Sequence, residues 1–254
     1  MERVAYYENY VILLTGCVNP GNMSYTSLKN TAIRLEQYKD AIRFYLSRTE
    51  VKVVFTENTN FPISYFDEFN DNKNFEYLTF NGNSYDTSLG KGYGEMNIIE
   101  YSLNHSKFIT PSSILIKITG RLVIPDISIF LDDFSKNHHF KVIMCESNIT
   151  TSIAESRIFI GPYLFYKEIL IPLKEELNDS KGVIFEKVLA KAILLFVKKY
   201  KGEHVFFKKA VKIIGISGTS GEPYRNKNVL GKVKRMIKYI CFKIYNMFWD
   251  EHAL

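Results

Sequence analysis

A strand, helix and strand pattern near the start of the sequence restricts the fold more than any other feature. Residues 11–14 form a short apolar run that ends in Thr15-Gly16, as a buried strand followed by a loop does. Apolar residues then recur at intervals of three and four through residues 28–45, which is typical of one face of a helix. Residues 51–55 form a second apolar run. A helical crossover joins parallel strands, so we predict a parallel pair within an α/β sheet.

Strands and helices continue to alternate along the chain. Further strands are predicted at residues 75–80, 114–121, 140–144, 157–160 and 211–216. Apolar residues with helical spacing follow Met96 and fill residues 182–200. A length of 254 residues and a hydrophobic fraction of 46% suffice for one large core. We predict one α/β domain over residues 1–225 and a C-terminal segment over residues 226–254.

The cysteines and the N-terminal segment exclude several classes of protein. Cys17, Cys145 and Cys241 form no C-x-x-C pair, which argues against a zinc site and a disulfide framework and favours a reducing cytosol. Residues 14–17, Leu-Thr-Gly-Cys, look like a lipoprotein cleavage box, but the apolar run before them is too short for a signal peptide. No stretch reaches the roughly 20 apolar residues of a membrane-spanning helix.

Most of the net positive charge lies at the C-terminal end. The formal net charge is +6, and residues 227–254 hold six Lys and Arg against two Asp and Glu, which leaves +4 in this segment. Bulky apolar residues alternate with these cations, which fits an amphipathic helix on the surface of an anionic membrane. A helix that packs on the core of the domain or on a second subunit is the alternative.

A glycine-rich segment at residues 90–95, Gly-Lys-Gly-Tyr-Gly-Glu, precedes a predicted helix. Glycines let backbone N–H groups approach a phosphate, the lysine adds charge, and a helix N-terminus favours an anion. The segment has neither the ending of a Walker A loop nor the G-x-G-x-x-G spacing of dinucleotide-binding folds. We interpret it as a phosphate-binding loop, and the alternative is a turn with an exposed lysine.

Two cations, Lys117 and Arg121, flank Thr119-Gly120 at the end of a predicted strand. Two positive charges at a strand end suit a diphosphate. A lysine within so apolar a strand also needs a partner. The alternative is a lysine that extends to the solvent and a surface arginine.

Four carboxylates near predicted loops or helix starts are candidates for acid–base chemistry: Glu57, Glu95, Asp179 and Glu186. For Asp179 the alternative is a helix cap or a turn, and for Glu186 it is a solvated helix face.

Metal ligands are not evident in the sequence. It contains no Asp-x-Asp, and Asp132 and Asp133 are adjacent rather than spaced. We interpret His138-His139 as part of a polar loop. We therefore assign no metal ligand and require no cofactor, although Mg²⁺ or Mn²⁺ stays an option. Lys91, Lys117 and Arg121 would neutralise a leaving diphosphate, with Arg157 as a further candidate.

These landmarks resemble bacterial glycosyltransferases of capsule and O-antigen (surface polysaccharide, including lipopolysaccharide) biosynthesis clusters. The resemblance rests on an apolar strand ending in Thr-Gly, a helix with Arg34 and Tyr38, a strand ending in Glu57-Asn58, and the segments 90–95 and 117–121. The resemblance continues at residues 156–159, at residues 179–186, and at Ser217-Gly218 before Tyr224. It spans roughly residues 10 to 225 and implies a GT-A-like Rossmann-type fold, a mixed and mainly parallel sheet flanked by helices. The amphipathic C-terminal helix is predicted from its own residues.

The resemblance also implies a function and a set of site residues. The donor would be a nucleotide-diphospho-sugar and the acceptor a lipid-linked glycan at the inner face of the plasma membrane, so we predict a cytoplasmic peripheral enzyme. Asp179 or Glu186 would lie near the acceptor hydroxyl, and our hypothesis is that Glu186 first and Asp179 second acts as the base in an inverting transfer. The donor-binding set implied is Thr15, Gly16, Glu57, Asn58, Lys91, Gly92, Gly94, Glu95, Lys117, Gly120, Arg121 and Arg157.

Two other functions compete with this hypothesis. A nucleotidyltransferase on a similar α/β core would consume a nucleoside triphosphate, but the metal carboxylates that it needs are not evident. A non-catalytic, membrane-associated module could bind RNA or another polyanion. The confinement of charge to the C-terminal segment argues against that module, and we predict no nucleic-acid partner.

Overall fold

The computed structural model describes residues 7–21, 26–137, 140–148 and 152–224. Its strands are β1 Tyr10–Gly16, β2 Lys52–Glu57, β3 Phe75–Thr79, β4 Ile114–Thr119, β5 Val142–Met144, β6 Ser147–Asn148, β7 Ile153–Ala154, β8 Ile158–Pro162 and β9 Glu203–Val205. Seven of them form one sheet in the order β3-β2-β1-β4-β8-β5-β9, and β6 pairs with β7 separately.

Four helices cover this sheet. They are α1 Thr31–Arg48, α2 Lys91–His105, α3 Ile127–Asn137 and α4 Phe185–Tyr200. A further helical run passes from an α-turn at Tyr163–Phe165 through a π-turn at Tyr166–Leu170 to a 3-10 turn at Ile171–Glu176. Shorter 3-10 segments lie at Ile63–Phe69, Thr87–Leu89 and Asp179–Lys181.

Burial on both faces explains why residues 11–14 of β1 are all apolar. Ile12 and Leu14 belong to a core packed against α1 and α3, whereas Val11 and Leu13 belong to a core packed against α2 and α4. Successive side chains of a strand point to opposite faces, so a strand covered by helices on both sides needs apolar residues at every position.

The pairing of the strands confirms the predicted fold class. β1 runs parallel to β2 and to β4, and β2 runs parallel to β3, whereas β8 is antiparallel to β4. The helix α1 forms the crossover between β1 and β2, as expected. The protein therefore has a mixed, mainly parallel sheet flanked by helices.

The chain reverses direction across the sheet next to β1. β2 and β3 follow β1 on one side, and the chain then returns through α2 to place β4 on the other side of β1. The loops that leave the carboxyl ends of β1 and β4 diverge there. This is the point where open α/β sheets form a ligand-binding crevice.

Two sequence-based predictions are wrong. Residues 211–216 do not form a strand, because they make only isolated bridges, from Ile214 to Val123 and from Ile216 to Pro223. The glycine-rich segment is not a loop before α2, because the helix already begins at Lys91.

The C-terminal segment at residues 226–254 and the pair His138-His139 lie outside the described residues. The predicted domain boundary therefore stays a prediction. Within the described ranges, no helix combines the length and apolar character that a bilayer span requires.

His204 in β9 makes the stability of the fold dependent on pH. Its Nε2 lies 2.9 Å from the carbonyl oxygen of Cys145, and burial lowers the pKa of the imidazole from 6.5 to about 4. The unfolded chain therefore binds more protons below pH 6.5, and we expect the free energy of unfolding to fall by a few kcal/mol as the pH is lowered from 6.5 to about 4.

Urea denaturation across this pH window, for the wild-type protein and for His204→Gln, measures the effect. The glutamine keeps a hydrogen-bond donor but does not titrate, so its stability should fall less. Equal losses in the two proteins would contradict the assignment to His204.

Candidate active site

A cavity of about 220 Å³ lies at the carboxyl ends of the central strands. Its lining includes Thr15 and Gly16 at the end of β1, Asn58 just after β2, and Thr119 and Arg121 at and after the end of β4. Five residues from three separate strand ends thus share one surface. The structure therefore brings together polar groups that the sequence places at these strand ends.

The first two turns of α2 form one wall of the cavity. Lys91, Gly94, Glu95 and Ile98 line it at the spacing of one helix face. Gly94 allows the hydroxyl of Tyr85 to pack close, because a Cβ at that position would lie 2.5 Å from this oxygen.

The Cα of Gly92 faces the start of α4 rather than the cavity. A Cβ on Gly92 would lie 3.2 Å from the backbone nitrogen of Phe185. The glycines therefore let α2 pack closely against its neighbours, and Gly92 is not among the lining residues.

The segment 215–224 forms the opposite rim. Lys91 Nζ donates a hydrogen bond to Thr219 Oγ1 at 2.7 Å, and Arg121 Nη1 donates to the carbonyl oxygen of Ile216 at 3.1 Å. Gly218, Thr219 and Tyr224 line the cavity. Two predicted diphosphate ligands thus also hold this segment.

The charge of the lining favours an anionic ligand. Among the described lining residues, Arg34, Lys91 and Arg121 are cationic and Glu95 is the single carboxylate. Burial lowers the pKa of Lys91, and the nearby charge of Asp179 opposes this shift. Three cations around one small cavity attract a group such as a diphosphate.

Two buried polar atoms of lining residues have no hydrogen-bond partner among the described residues. They are Asn58 Oδ1, an acceptor, and Arg121 Nε, a donor. A buried polar atom without a partner is costly, so a bound ligand would relieve this cost at both positions.

Lys117 lies beneath the cavity and does not line it. Its side chain is completely buried and its ammonium group is ion-paired with Glu95. Nζ also donates to the carbonyl oxygen of Ser156 at 2.7 Å, and it lies 5.8 Å and 5.6 Å from the ring centres of Phe159 and Phe185. The lysine therefore has the partner that its buried position requires, and that partner is a carboxylate of the protein.

Glu57, another residue predicted to bind the nucleotide-sugar donor, is buried beneath the cavity. Its carboxylate accepts hydrogen bonds from the backbone nitrogens of Val18 at 3.1 Å, Thr59 at 2.8 Å and Phe61 at 3.0 Å. These bonds fix the loops after β1 and β2, so Glu57 holds the neighbouring Asn58 in place. Glu57 itself is absent from the described lining.

Gly120 and Arg157 also lie next to the cavity rather than on its lining. A Cβ on Gly120 would lie 2.8 Å from the carbonyl oxygen of Thr15, so glycine permits close approach of the two strand ends. Arg157 is ion-paired with Glu155, and its guanidinium lies 4.8 Å from the ring centre of Tyr224. It supports the rim through that tyrosine.

The two predicted base residues occupy different environments. Glu186, half-buried at the start of α4, accepts a hydrogen bond from Ser156 Oγ at 2.7 Å, and Ser156 lines the cavity. Asp179 accepts a hydrogen bond from the backbone nitrogen of Lys91 at 3.0 Å, so it caps α2 from a distant part of the chain.

The cap formed by Asp179 also corrects the prediction of a phosphate cradle. A carboxylate already occupies the first N–H group of α2, where the sequence suggested a phosphate. Burial raises the pKa of Asp179, and the hydrogen bond from Lys91 and its positive charge oppose this shift.

Several lining residues were missing from the predicted site. Asn83 and Tyr85 come from the loop after β3, and Ser156 and Thr219 come from later loops. Ser156 belongs to the segment 156–159 of the family resemblance but was not assigned to the site. Arg34 had a signal, because it is a charged residue on the apolar face of α1. It is buried and donates from Nε to the carbonyl oxygen of Cys17 at 2.9 Å.

Metal binding has no evident protein ligands in the described part of the chain. No group of three or more His, Cys, Asp or Glu residues there could hold a metal ion.

Neither a protein-family model nor a curated protein matches the chain. Solved structures with a similar arrangement include a protein from Desulfovibrio desulfuricans G20 described as a nucleotide-diphospho-sugar transferase, at 8% identity and a TM-score of 0.43, covering 79% of each chain. The 4-diphosphocytidyl-2C-methyl-D-erythritol synthase of Anaerococcus prevotii DSM 20548 is 10% identical in sequence and has a TM-score of 0.41. This match covers 80% of this chain and 88% of that chain.

A galactosyltransferase in complex with donor and acceptor sugar analogues is also similar, at 8% identity and a TM-score of 0.38, over 77% of this chain and 72% of that chain. Similarities this low carry no argument about the reaction or the site.

The buried ion pair yields a prediction about stability. Glu95→Gln leaves the fully buried ammonium group of Lys117 without its anion, and we expect a loss of about 3 to 5 kcal/mol in the free energy of unfolding. The double variant Lys117→Met/Glu95→Gln removes both charges and should recover most of this loss. Chemical denaturation of the single and double variants measures the coupling, and additive losses would contradict it.

Proposed function

We propose that the protein is a glycosyltransferase that moves a sugar from a nucleotide-diphospho-sugar donor to an acceptor hydroxyl. The position and charge of the cavity give the strongest support. It lies where the strand order reverses, at the carboxyl ends of β1 and β4, which is where nucleotides bind in open α/β sheets. Its described lining carries three cations and one carboxylate, which suits a diphosphate.

Arg121 and Lys91 are the proposed diphosphate ligands. They approach the cavity from β4 and from α2, so one anion could contact both. Arg121 offers the buried donor Nε, which has no partner among the described residues. Negative charge grows on the departing nucleoside diphosphate during transfer, and cations fixed in advance stabilise that charge.

The proposed step is a direct displacement. The acceptor oxygen forms a bond to the anomeric carbon as the bond from that carbon to the diphosphate oxygen breaks. The acceptor proton passes to a carboxylate, for which Glu186 is the first candidate. Glu186 is not on the described lining, but its hydrogen-bond partner Ser156 is, so the acceptor would give its proton to the Ser156 hydroxyl as that hydroxyl gives its own proton to Glu186. The nucleoside diphosphate leaves with the bonding electrons, and the configuration at the anomeric carbon is inverted.

Arg121→Gln tests the diphosphate site. We expect about 10- to 100-fold weaker binding of the nucleoside diphosphate, because a charge-assisted hydrogen bond is lost. Calorimetric titration measures it, after a thermal-shift screen of UDP-, GDP-, CMP- and dTDP-sugars with and without Mn²⁺ has selected the nucleotide.

The matched control is Arg43→Gln. Arg43 lies on α1 in an exposed ion pair with Glu68, and it is not a lining residue. Equal affinities for Arg121→Gln and the wild-type protein would contradict the proposed site.

The base assignment has its own test. Glu186→Gln should lower turnover by about 10²- to 10⁴-fold while nucleotide affinity is kept, because proton transfer is lost and the diphosphate ligands remain. Asp179→Asn should lower turnover less and should destabilise the protein by about 1 kcal/mol, because it weakens the cap on α2.

Steady-state kinetics of the two variants measure these effects, with Glu176→Gln as the control. Glu176 is an exposed carboxylate paired with Lys191. Near-normal turnover of both Glu186→Gln and Asp179→Asn in folded protein would refute the assignment of the base.

The acceptor and the location are proposals based on the sequence. We propose a lipid-linked glycan acceptor at the cytoplasmic face of the plasma membrane, in the synthesis of a bacterial surface polysaccharide. The anionic membrane surface would be contacted by residues 226–254, which lie outside the described residues.

A further inference from the structure

Glu95 is the one carboxylate among the described residues that line the cationic cavity. A carboxylate beside Lys91 and Arg121 reduces the attraction of the site for a phosphate. Its presence therefore calls for a function other than holding the diphosphate.

The position of Glu95 is fixed from below. Lys117 forms the buried ion pair with Oε1, and Thr15 Oγ1 donates a hydrogen bond to the same oxygen at 3.1 Å. The lysine is held in turn by the carbonyl oxygen of Ser156 and by two aromatic rings. The carboxylate is thus oriented by groups that the strands themselves position.

The closest contact of each of these two partners is made to Oε1. The side chain is 23% exposed, whereas its partner Lys117 has no exposed surface. The arrangement leaves part of an oriented carboxylate accessible to a ligand in the cavity.

The chemistry of this carboxylate limits what it can bind. An ionised carboxylate accepts hydrogen bonds and donates none. It repels phosphate oxygens, and it binds the hydroxyl groups of a sugar well because such hydrogen bonds are charge-assisted.

We propose that Glu95 is the hydroxyl-binding group of the cavity and that Lys117 is the positioning residue that orients it. This inference rests on the proposed function, because it takes a nucleotide sugar as the ligand. The hydroxyl groups could belong to the transferred sugar or to the ribose, and both sources share the same chemistry.

A series of four ligands separates the possible contacts. UDP-glucose carries the transferred sugar and the ribose, UDP carries the ribose, 2′,3′-dideoxy-UDP lacks the ribose hydroxyls, and inorganic pyrophosphate has neither sugar nor base. If the donor screen selects guanosine, GDP-mannose and the guanosine forms replace them. Calorimetric titration gives the affinity of each ligand for the wild-type protein and the variants.

The variants are Lys117→Met and the double variant Lys117→Met/Glu95→Gln. The double variant carries no unpaired buried charge, so it keeps the test valid if the single variant fails to fold. The matched control is Lys174→Met/Glu100→Gln, which removes an ion pair between α2 and the 3-10 turn at Ile171–Glu176, outside the described lining.

We expect the double variant to bind UDP-glucose about 10-fold or more weakly while its affinity for pyrophosphate changes little. A loss limited to UDP-glucose identifies the transferred sugar as the source of the hydroxyl groups. A loss of affinity shared by UDP-glucose and UDP, but not by dideoxy-UDP, identifies the ribose as the source of the hydroxyl groups. Lys117→Met leaves the charge of Glu95 unpaired, so it should also weaken pyrophosphate binding, but by less than it weakens binding of the hydroxyl-bearing ligand. A merely structural role would not produce this difference.

Equal losses of affinity for all four ligands, or a loss of affinity that persists with dideoxy-UDP, would overturn this inference. Unchanged affinities in the double variant would also overturn it. Absence of binding by the wild-type protein would overturn the proposed function together with it. Wild-type binding with an unselective series would overturn this inference alone.

Discussion

The position of β1, buried on both faces and paired in parallel on both edges, determines most of the structure. Parallel neighbours require crossover connections, and the crossovers cover the two faces with helices. Because β2 and β4 lie on opposite sides of β1, three strand ends and the start of α2 meet at one crevice. The cavity therefore follows from the order of the strands, and its chemistry follows from the residues at their ends.

The sequence predicts the elements whose signals are local. The apolar runs of β1 and β2 and the buried face of α1 are visible because burial dictates every side chain. The segment 211–216 has similar composition but no strand to pair with. Ile213 is buried in the core while Ile214 is 57% exposed, so its apolar residues reflect packing of a loop rather than a sheet.

The sequence predicts the site to about the same degree as it predicts the fold. Strand-end residues such as Thr15, Asn58 and Arg121 are recognisable from position, and the structure brings them together. Whether a polar residue lines the cavity or supports it from below cannot be read from one segment. Lys117 supports the site because α2 supplies Glu95, and Asp179 caps α2 from a distant part of the chain. Contacts of this kind depend on tertiary structure alone.

The most direct test of the central claim is the phosphorus NMR spectrum of the products. The wild-type protein is incubated with the selected nucleotide sugar, and separately with the nucleoside triphosphate and a sugar phosphate. We expect a nucleoside diphosphate from slow hydrolysis of the nucleotide sugar, whose sugar passes to water when no acceptor is present, and no pyrophosphate from the triphosphate. Pyrophosphate from the triphosphate, with no nucleoside diphosphate formed from any nucleotide sugar, would contradict it and would identify nucleotidyl transfer as the reaction.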